Sequence, residues 1–341
     1  MTTDHRRADF VLAPYIRSSN RRGALQILSA VGPYLLLWAL AIQAAGHAIW
    51  ALPFILVLLV LFSLRCFSLM HDCGHQSLFR SRRLNQIGGF LLGLVNAIPQ
   101  VAWSADHAFH HRTNGDWERY RGVADFLSSE DFARLDSKQQ RIYGLLRHPL
   151  MAFPGGFYYL AIQPRLALLQ AIGAAVRARA IPRTAEFWEQ LLNSVCVIGI
   201  LILAGQAWGY GFVLGLYAIT LAFAAMLFIW IFYVQHIFEG TYAHPSEGWS
   251  KMKGALEGTS YLQMPVLLRW FTADIGYHNI HHLSEGIPNY NLRAAHLANA
   301  ELLRDVPTLR LGDMLACGKF ILWDRAAQRL VPLPEQAHAI S

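Results

Sequence analysis

The chain has 341 residues, 54% of them hydrophobic and 15% charged, with a positive mean hydropathy and a formal net charge of +7. Length would allow two soluble domains, but this composition describes a single domain, residues 1–341, with much of its surface in lipid. Neither a disulfide framework nor a thiolate zinc site is supported, because Cys66, Cys73, Cys196 and Cys317 lie far apart and form no C-x-x-C pair.

Arg6, Arg7, Arg17, Arg21 and Arg22 precede an uncharged run over 23–64. A crossing takes about 20 apolar residues, so this run holds two spans, about 26–45 and 50–69, broken near Gly46 and Pro53. It begins too late and runs on too far for a cleavable signal peptide.

His71 and His75, in HDCGH, continue the second span. Cys73 sits between them, but the two histidines take the metal-facing side. A basic knot follows at Arg80, Arg82 and Arg83, and then an uncharged stretch over 84–105 that is long enough to cross. A single crossing there would separate His75 from His107, His110 and His111 of HAFHH by a membrane. The stretch is therefore expected to be interfacial or re-entrant, weakened as a helix by Gly88, Gly89, Gly93 and Pro99.

Residues 119–143 read as charged and soluble, and 148–164, interrupted by Pro149, Pro154, Gly155 and Gly156, as lying on the membrane surface. A second uncharged run, 190–238, contributes to two more spans, about 189–206 and 211–234, separated by the turn GQAWGYG. His236 closes the last of them, with Gln235 and Glu239 beside it. The remainder, mostly helical in pattern, carries His278, His281 and His282 in HNIHH.

The expected architecture is an all-α integral membrane protein. It has four spans in two hairpins and a cytoplasmic helical cap over 70–188 and 235–341 that carries the metal site. Arginines before the first span, and turns without Lys or Arg, put both termini and the histidine clusters in the cytoplasm. The basic charge on that face attracts anionic lipid or an acidic partner protein. Nucleic acid is excluded as a partner, since the arginines flank spans and no separate aromatic-interleaved basic patch exists.

Fifteen histidines occur, and His5, His47, His148, His244, His296 and His338 are scattered. At this frequency one H-x-x-H-H pattern is expected by chance about 0.03 times in such a chain, and two occur. On a helix, positions i, i+3 and i+4 share a face, so each triple is expected to aim three imidazoles at one centre. Nine imidazoles exceed the four ligands of tetrahedral zinc and suit two metals with positions left open for dioxygen. Imidazole alone does not choose among zinc, copper, iron and nickel. Asp72, Asp106, Glu239 and Asp274 are candidates to orient the rings.

HDCGH, HAFHH followed by RTNGDWER, VQHIFEG, and HNIHHLSEGIPNYNL together resemble the histidine boxes of membrane fatty-acid desaturases, over 69–292. The three-residue gap of the first box and the TNGDWER run are more similar to acyl-lipid desaturases than to the acyl-CoA type. The resemblance implies two iron ions, dioxygen as co-substrate, and a cis double bond introduced into an acyl lipid. It implies the nine metal ligands His71, His75, His107, His110, His111, His236, His278, His281 and His282, with no further catalytic group. Where the acyl-CoA type has an Asn one turn before the lone histidine, this chain has Phe232, so no asparagine ligand is carried over.

About 22 residues ahead of the first span leave no space for a fused haem domain, so a separate donor, ferredoxin or a small cytochrome, is expected. The expected location is a bacterial inner membrane. Two other functions use such clusters: hydroxylation or ketolation of alkanes, sphingolipids or carotenoids, and metal transport or sensing, whose sites lie near the bilayer midplane.

Overall fold

The structure, a computed structural model, describes residues 5–122 and 124–334, so His338 and the last residues of the expected cap lie outside the described residues. Helix α1, Asn20–His47, starts at the Ser19 cap, whose hydroxyl accepts from Arg22 N at 3.4 Å. A single 3-10 turn, Ile49–Ala51, reverses the chain into α2, Leu52–Gly74. Pro53 sits in the first turn of α2, where its missing N–H costs nothing. Beyond Leu59 the helix becomes the centre of the molecule, with every residue from Ser63 to Cys73 buried.

The stretch after α2 is not one straight helix. Helix α3, Arg82–Val95, and α4, Gln100–Thr113, meet at 103°. Ala97 at the elbow adopts a left-handed φ of 54°, and Gly93 lies so close to the Ile98 carbonyl that a Cβ would overlap it. Pro99 cannot donate, and the Glu189 carboxylate accepts from Gln100 N at 3.0 Å and Val101 N at 3.4 Å. This caps the N-terminus of α4 with the charge that a helix N-terminus favours.

The middle segment holds strand β1, Leu127–Ser128, helix α5, Ser129–Ala133, and α6, Ser137–Arg147, opened by an Asp136/Gln139 capping box. A 3-10 turn at Pro149–Met151, helix α7, Ala152–Phe157, a π-turn at Tyr158–Ile162 and α8, Gln163–Ala178, then run on continuously. Pro149, Pro154 and Pro164 all fall in first turns of these pieces, so they start helix rather than stop it. Among the described residues there are therefore five helices long and apolar enough to cross a membrane, Pro149–Ala178 being additional to the four expected.

Helices α9, Ala185–Trp208, and α10, Tyr210–Val234, form the second hairpin. Gly209 joins them at φ 90°, a conformation glycine adopts without steric cost.

After α10 the fold departs from the all-α expectation. Helices α11, Lys251–Leu256, α12, Val266–Phe271, α13, His278–Leu283, α14, Asn289–Ala298, and α15, Met314–Cys317, alternate with four short strands: β2, Tyr261–Gln263; β3, Thr308–Arg310; β4, Leu322–Asp324; and β5, Arg329–Val331. β2 and β3 pair in parallel, while β4 lies between parallel β1 and antiparallel β5. Each strand has only two or three residues, too few for an alternating pattern to show in sequence. Their pairing is fixed by tertiary contacts such as Trp323, fully buried against Trp117 and Phe126.

The elbow between α3 and α4 depends on Glu189. Replacing it (Glu189→Ala) leaves the first amides of α4 unpaired and should cost about 1–3 kcal/mol. Thermal unfolding in detergent should show a midpoint lowered by several degrees, and an unchanged midpoint would contradict this role.

Candidate metal centre

Four elements bring the histidines together. His71 lies in the last turn of α2 and His75 caps it; His107, His110 and His111 occupy the last two turns of α4; His278, His281 and His282 make up half of α13; His236 follows α10 by two residues. Eight of the nine are buried, and the His75 side chain is 6% exposed.

They do not form one cluster per motif. His71, His75, His107, His111 and His281 make one group, and His110, His236, His278 and His282 a second, with the candidate ligand atoms of each within 4.8 Å of one another. Each H-x-x-H-H triple is therefore divided, against the expectation of three rings on one centre. The helical phase explains the division: at about 100° per residue, i and i+4 differ by about 40°, but i+3 and i+4 by about 100°. Each i, i+4 pair stays together, and the i+3 ring swings to the other group.

The interior of these groups suits metal cations. Imidazole Nε2 atoms face each other at 2.9 Å (His278 and His236), 3.0 Å (His111 and His107), 3.1 Å (His281 and His111) and 3.3 Å (His110 and His282). Nε2 of His111 faces two such neighbours and carries at most one proton. Among the described residues, one nitrogen of each of five rings makes no hydrogen bond: Nε2 of His71 and His75, and Nδ1 of His110, His111 and His278. Burial pushes the His236 ring down to about 4, and burial with neighbouring rings holds His278, His281 and His282 well below the ordinary histidine range. These four rings are thus neutral at pH 7, the form that binds metal.

Outside the two groups, three contacts orient rings. Asp72 Oδ1 lies 3.3 Å from His71 Nδ1, and its other oxygen accepts from the Asn289 backbone and side-chain amides, both at 2.8 Å. Glu285 bridges His75 Nδ1 at 3.6 Å and His111 Nδ1 at 3.7 Å, with Lys251 Nζ at 3.7 Å from the same carboxylate. Burial alone would raise the Glu285 carboxyl, but the His75 and Lys251 contacts bring it below its ordinary range. His236 Nδ1 lies 3.1 Å from the Gly258 carbonyl.

Of the four acids expected to orient rings, only Asp72 touches one. Glu239 pairs instead with Arg329 at 2.8 Å and Asp274 with Arg269 at 3.8 Å, while Asp106 is exposed. Gln235, expected beside His236, donates instead to the Ile275 carbonyl. Glu285 and Asn289 are the functional residues that reading outward from the rings missed. Both lie in the HHLSEGIPNYNL run, whose polar positions were the available signal. Cys73 belongs to neither metal group and packs against Gly88 and Gly89.

Phe232 occupies the face of the second group, its ring 4.9 Å from His110 and 5.0 Å from His236. It offers no ligand atom and instead walls a narrow apolar cleft. His71, His107 and His278 line one part of that cleft, and Leu64, Phe228, Ile231 and Ile275 another. Leu64 and Phe228 also line a second narrow cleft between α2, α7 and α10.

Residues 48–310 match the family model described as fatty acid desaturase. The chain is 30% identical to a Bacillus subtilis protein named fatty acid desaturase over 94% of this chain and 88% of that one. It is 26% identical to the sn-1 acyl-lipid omega-3 desaturase (ferredoxin) of a Nostoc species, over 66% of this chain and 60% of the relative. It is 27% identical to the chloroplastic sn-2 acyl-lipid omega-3 desaturase (ferredoxin) of Helianthus annuus, over 75% and 54% respectively.

Two outcomes follow from the geometry. Glu285→Ala frees the His75 and His111 rings to turn, and should weaken metal retention about 10- to 100-fold against a competing chelator. Metal content equal to wild type after the same dialysis would exclude an orienting role. For the metal-free protein, histidines with depressed folded pKa values take up protons on unfolding. Stability should therefore be intact above about pH 6.5 and fall as pH drops toward about 4, where His236 protonates. Denaturant titrations at pH 7.5, 6 and 5 check the sign.

Proposed function

The chain belongs to the fatty acid desaturase family, a family of oxidoreductases, and from that premise we propose that it introduces a cis double bond into a fatty acyl chain of a membrane lipid. Two iron ions, held by the five- and four-histidine groups, and dioxygen as co-substrate complete the reading. The observation that carries it is the pairing of two inward-facing histidine groups with an apolar cleft that reaches both.

When bound, the irons would supply the oxidising power, drawn from dioxygen, that removal of hydrogen from an unactivated methylene requires. This chain's own residues do the positioning. Leu64, Phe228, Ile231 and Ile275 offer an acyl chain a surface that carries no charge, and each buried methylene is worth about 0.8 kcal/mol. The same surface holds the chain in place, and that positioning of the reacting carbons would decide between loss of a second hydrogen and hydroxylation. Phe232 limits how close the chain comes to His110 and His236, and Leu64 and Phe228, which line both clefts, help set which carbon pair faces the rings.

Four crossings, α1, α2, α9 and α10, remain the proposed topology, with Pro149–Ala178 lying along the cytoplasmic side of the bilayer. Glu189 ties the first turns of α4 and α9 together, and the α9–α10 hairpin returns to His236. With both α9 and α10 crossing, the chain from His111 to the start of α9 would begin and end on the side of His236, which supports reading Pro149–Ala178 as not crossing. The basic N-terminal arginines support a cytoplasmic site, and a bacterial inner membrane is the location proposed with it. An acidic one-electron donor is the proposed partner, in keeping with the ferredoxin named for two relatives.

Expression of the chain in a host lacking desaturases, followed by mass spectrometry of total lipids, should reveal new double bonds. His110→Ala should abolish them, a loss of at least about 100-fold, while the protein still inserts and accumulates. Hydroxylated or keto products without new double bonds would overturn the desaturation reading.

A further inference from the structure

Away from the histidines, six arginines gather at one corner. Arg17, Arg21, Arg22, Arg80, Arg82 and Arg83 are all exposed. Asn20 Oδ1 accepts from Ser81 N at 3.0 Å, which holds the start of α1 against the start of α3. Gly23 closes the same seam, since a Cβ there would lie 2.7 Å from the Phe79 ring. Among the described residues, no carboxylate forms an ion pair with any of the six.

The arrangement is costly as it stands. Four of the six lie in the first turns of α1 and α3, where the helix dipole disfavours a cation, and neither first turn has an acid. Like charges are thus crowded at two helix ends with nothing negative between them. Directly along the same two helices, Leu28 on α1 and Ile87 on α3 are 67% and 57% exposed. Orienting a span requires positive charge near its end; it does not require two helix ends to be pinned together so that their arginines converge.

We propose that this corner binds an anionic phospholipid, with the phosphate and head group against the arginines and the acyl chains along the exposed apolar faces of α1 and α3. A soluble acidic protein would meet the charges but not the apolar strip that continues from them, whereas a lipid meets both. The site also reaches the metal centre. The Arg22 guanidinium stands over the Tyr290 ring, and one turn further along α1 the Gln26 side chain donates to Asn289 at 2.8 Å. Asn289 in turn holds Asp72, which orients His71. A bound head group therefore stiffens the corner on which the His71 ring depends. The inference rests on the membrane placement of the chain and is independent of the reaction proposed above.

Full-length protein in neutral detergent is titrated with phosphatidylglycerol or with phosphatidylcholine of the same acyl chains, and bound lipid is counted by native mass spectrometry. Phosphatidylglycerol should bind about tenfold more tightly and raise the thermal midpoint. Substituting Arg80→Gln, Arg82→Gln and Arg83→Gln together should remove that preference without lowering the lipid-free midpoint. The pair Arg21→Gln and Arg22→Gln tests the same site from the other helix if the triple variant fails to fold. Equal binding of the two lipids by the wild type, or a preference surviving both variants, overturns the proposal. So does protection by inorganic phosphate equal to that by phosphatidylglycerol. Lipid indifference with salt-sensitive binding of an acidic protein at these arginines would make the corner a protein dock, and overturn it equally.

Discussion

Nine imidazoles buried around two small volumes are the constraint that the rest of the structure serves. A neutral histidine carries one donor and one acceptor nitrogen, and burial without partners costs on the order of a few kcal/mol per group. Here several Nε2 atoms face other Nε2 atoms, and five rings have an unpartnered nitrogen. Such an interior is strained as a hydrogen-bond network and sound as a set of cation ligands. The surrounding fold supplies what that requires: four chain segments brought to one place, a low-dielectric wall of Phe228, Phe232 and Trp103, and a few outer contacts that fix ring orientation.

The elbow between α3 and α4 is the device that makes convergence possible. α4 must present its last two turns to the ends of α2 and α13, so the chain leaving α2 has to turn back rather than cross. A left-handed Ala97, the close approach of Gly93 to Ile98, and the Glu189 cap together hold that reversal. The acid comes from α9, about 90 residues later in the chain. The elbow and the second hairpin are therefore one structural unit, and the histidines of α4 and the ring of His236 keep their spacing through it.

The apolar clefts tie the membrane helices to the same centre. α2 and α10 each carry exposed apolar residues on one side and line the cleft on another. Leu64 and Phe228 stand at the junction of the two clefts, seven residues before His71 and eight before His236 respectively. Depth along α2 and α10 thus converts into distance from the rings, which is how a helical scaffold can measure a chain of methylenes.

Much of this was legible in the residues alone, because the signals were local. Charge-free runs announced α1, α2, α9 and α10, and i, i+4 spacing announced the histidine pairs. Glycines and a proline announced the break between α3 and α4. What required tertiary structure was everything set by phase or by distant partners. The allotment of each triple to two groups depends on how α4 and α13 are rotated toward each other, which spacing cannot specify. Glu285 was invisible as an orienting residue because its rings come from α2 and α4, more than 170 residues away. β1 pairs with β4 from the far end of the cap, Leu127 opposite Leu322, and Pro149 and Pro154, which look like breaks, fall in first turns and begin helices instead. Sequence by itself determined which side chains are candidate ligands and which segments are apolar enough to cross a membrane, since hydrophobicity and residue type are local properties. Only the packed structure decided which ring belongs with which, because that follows from helix rotation and from contacts between segments remote along the chain.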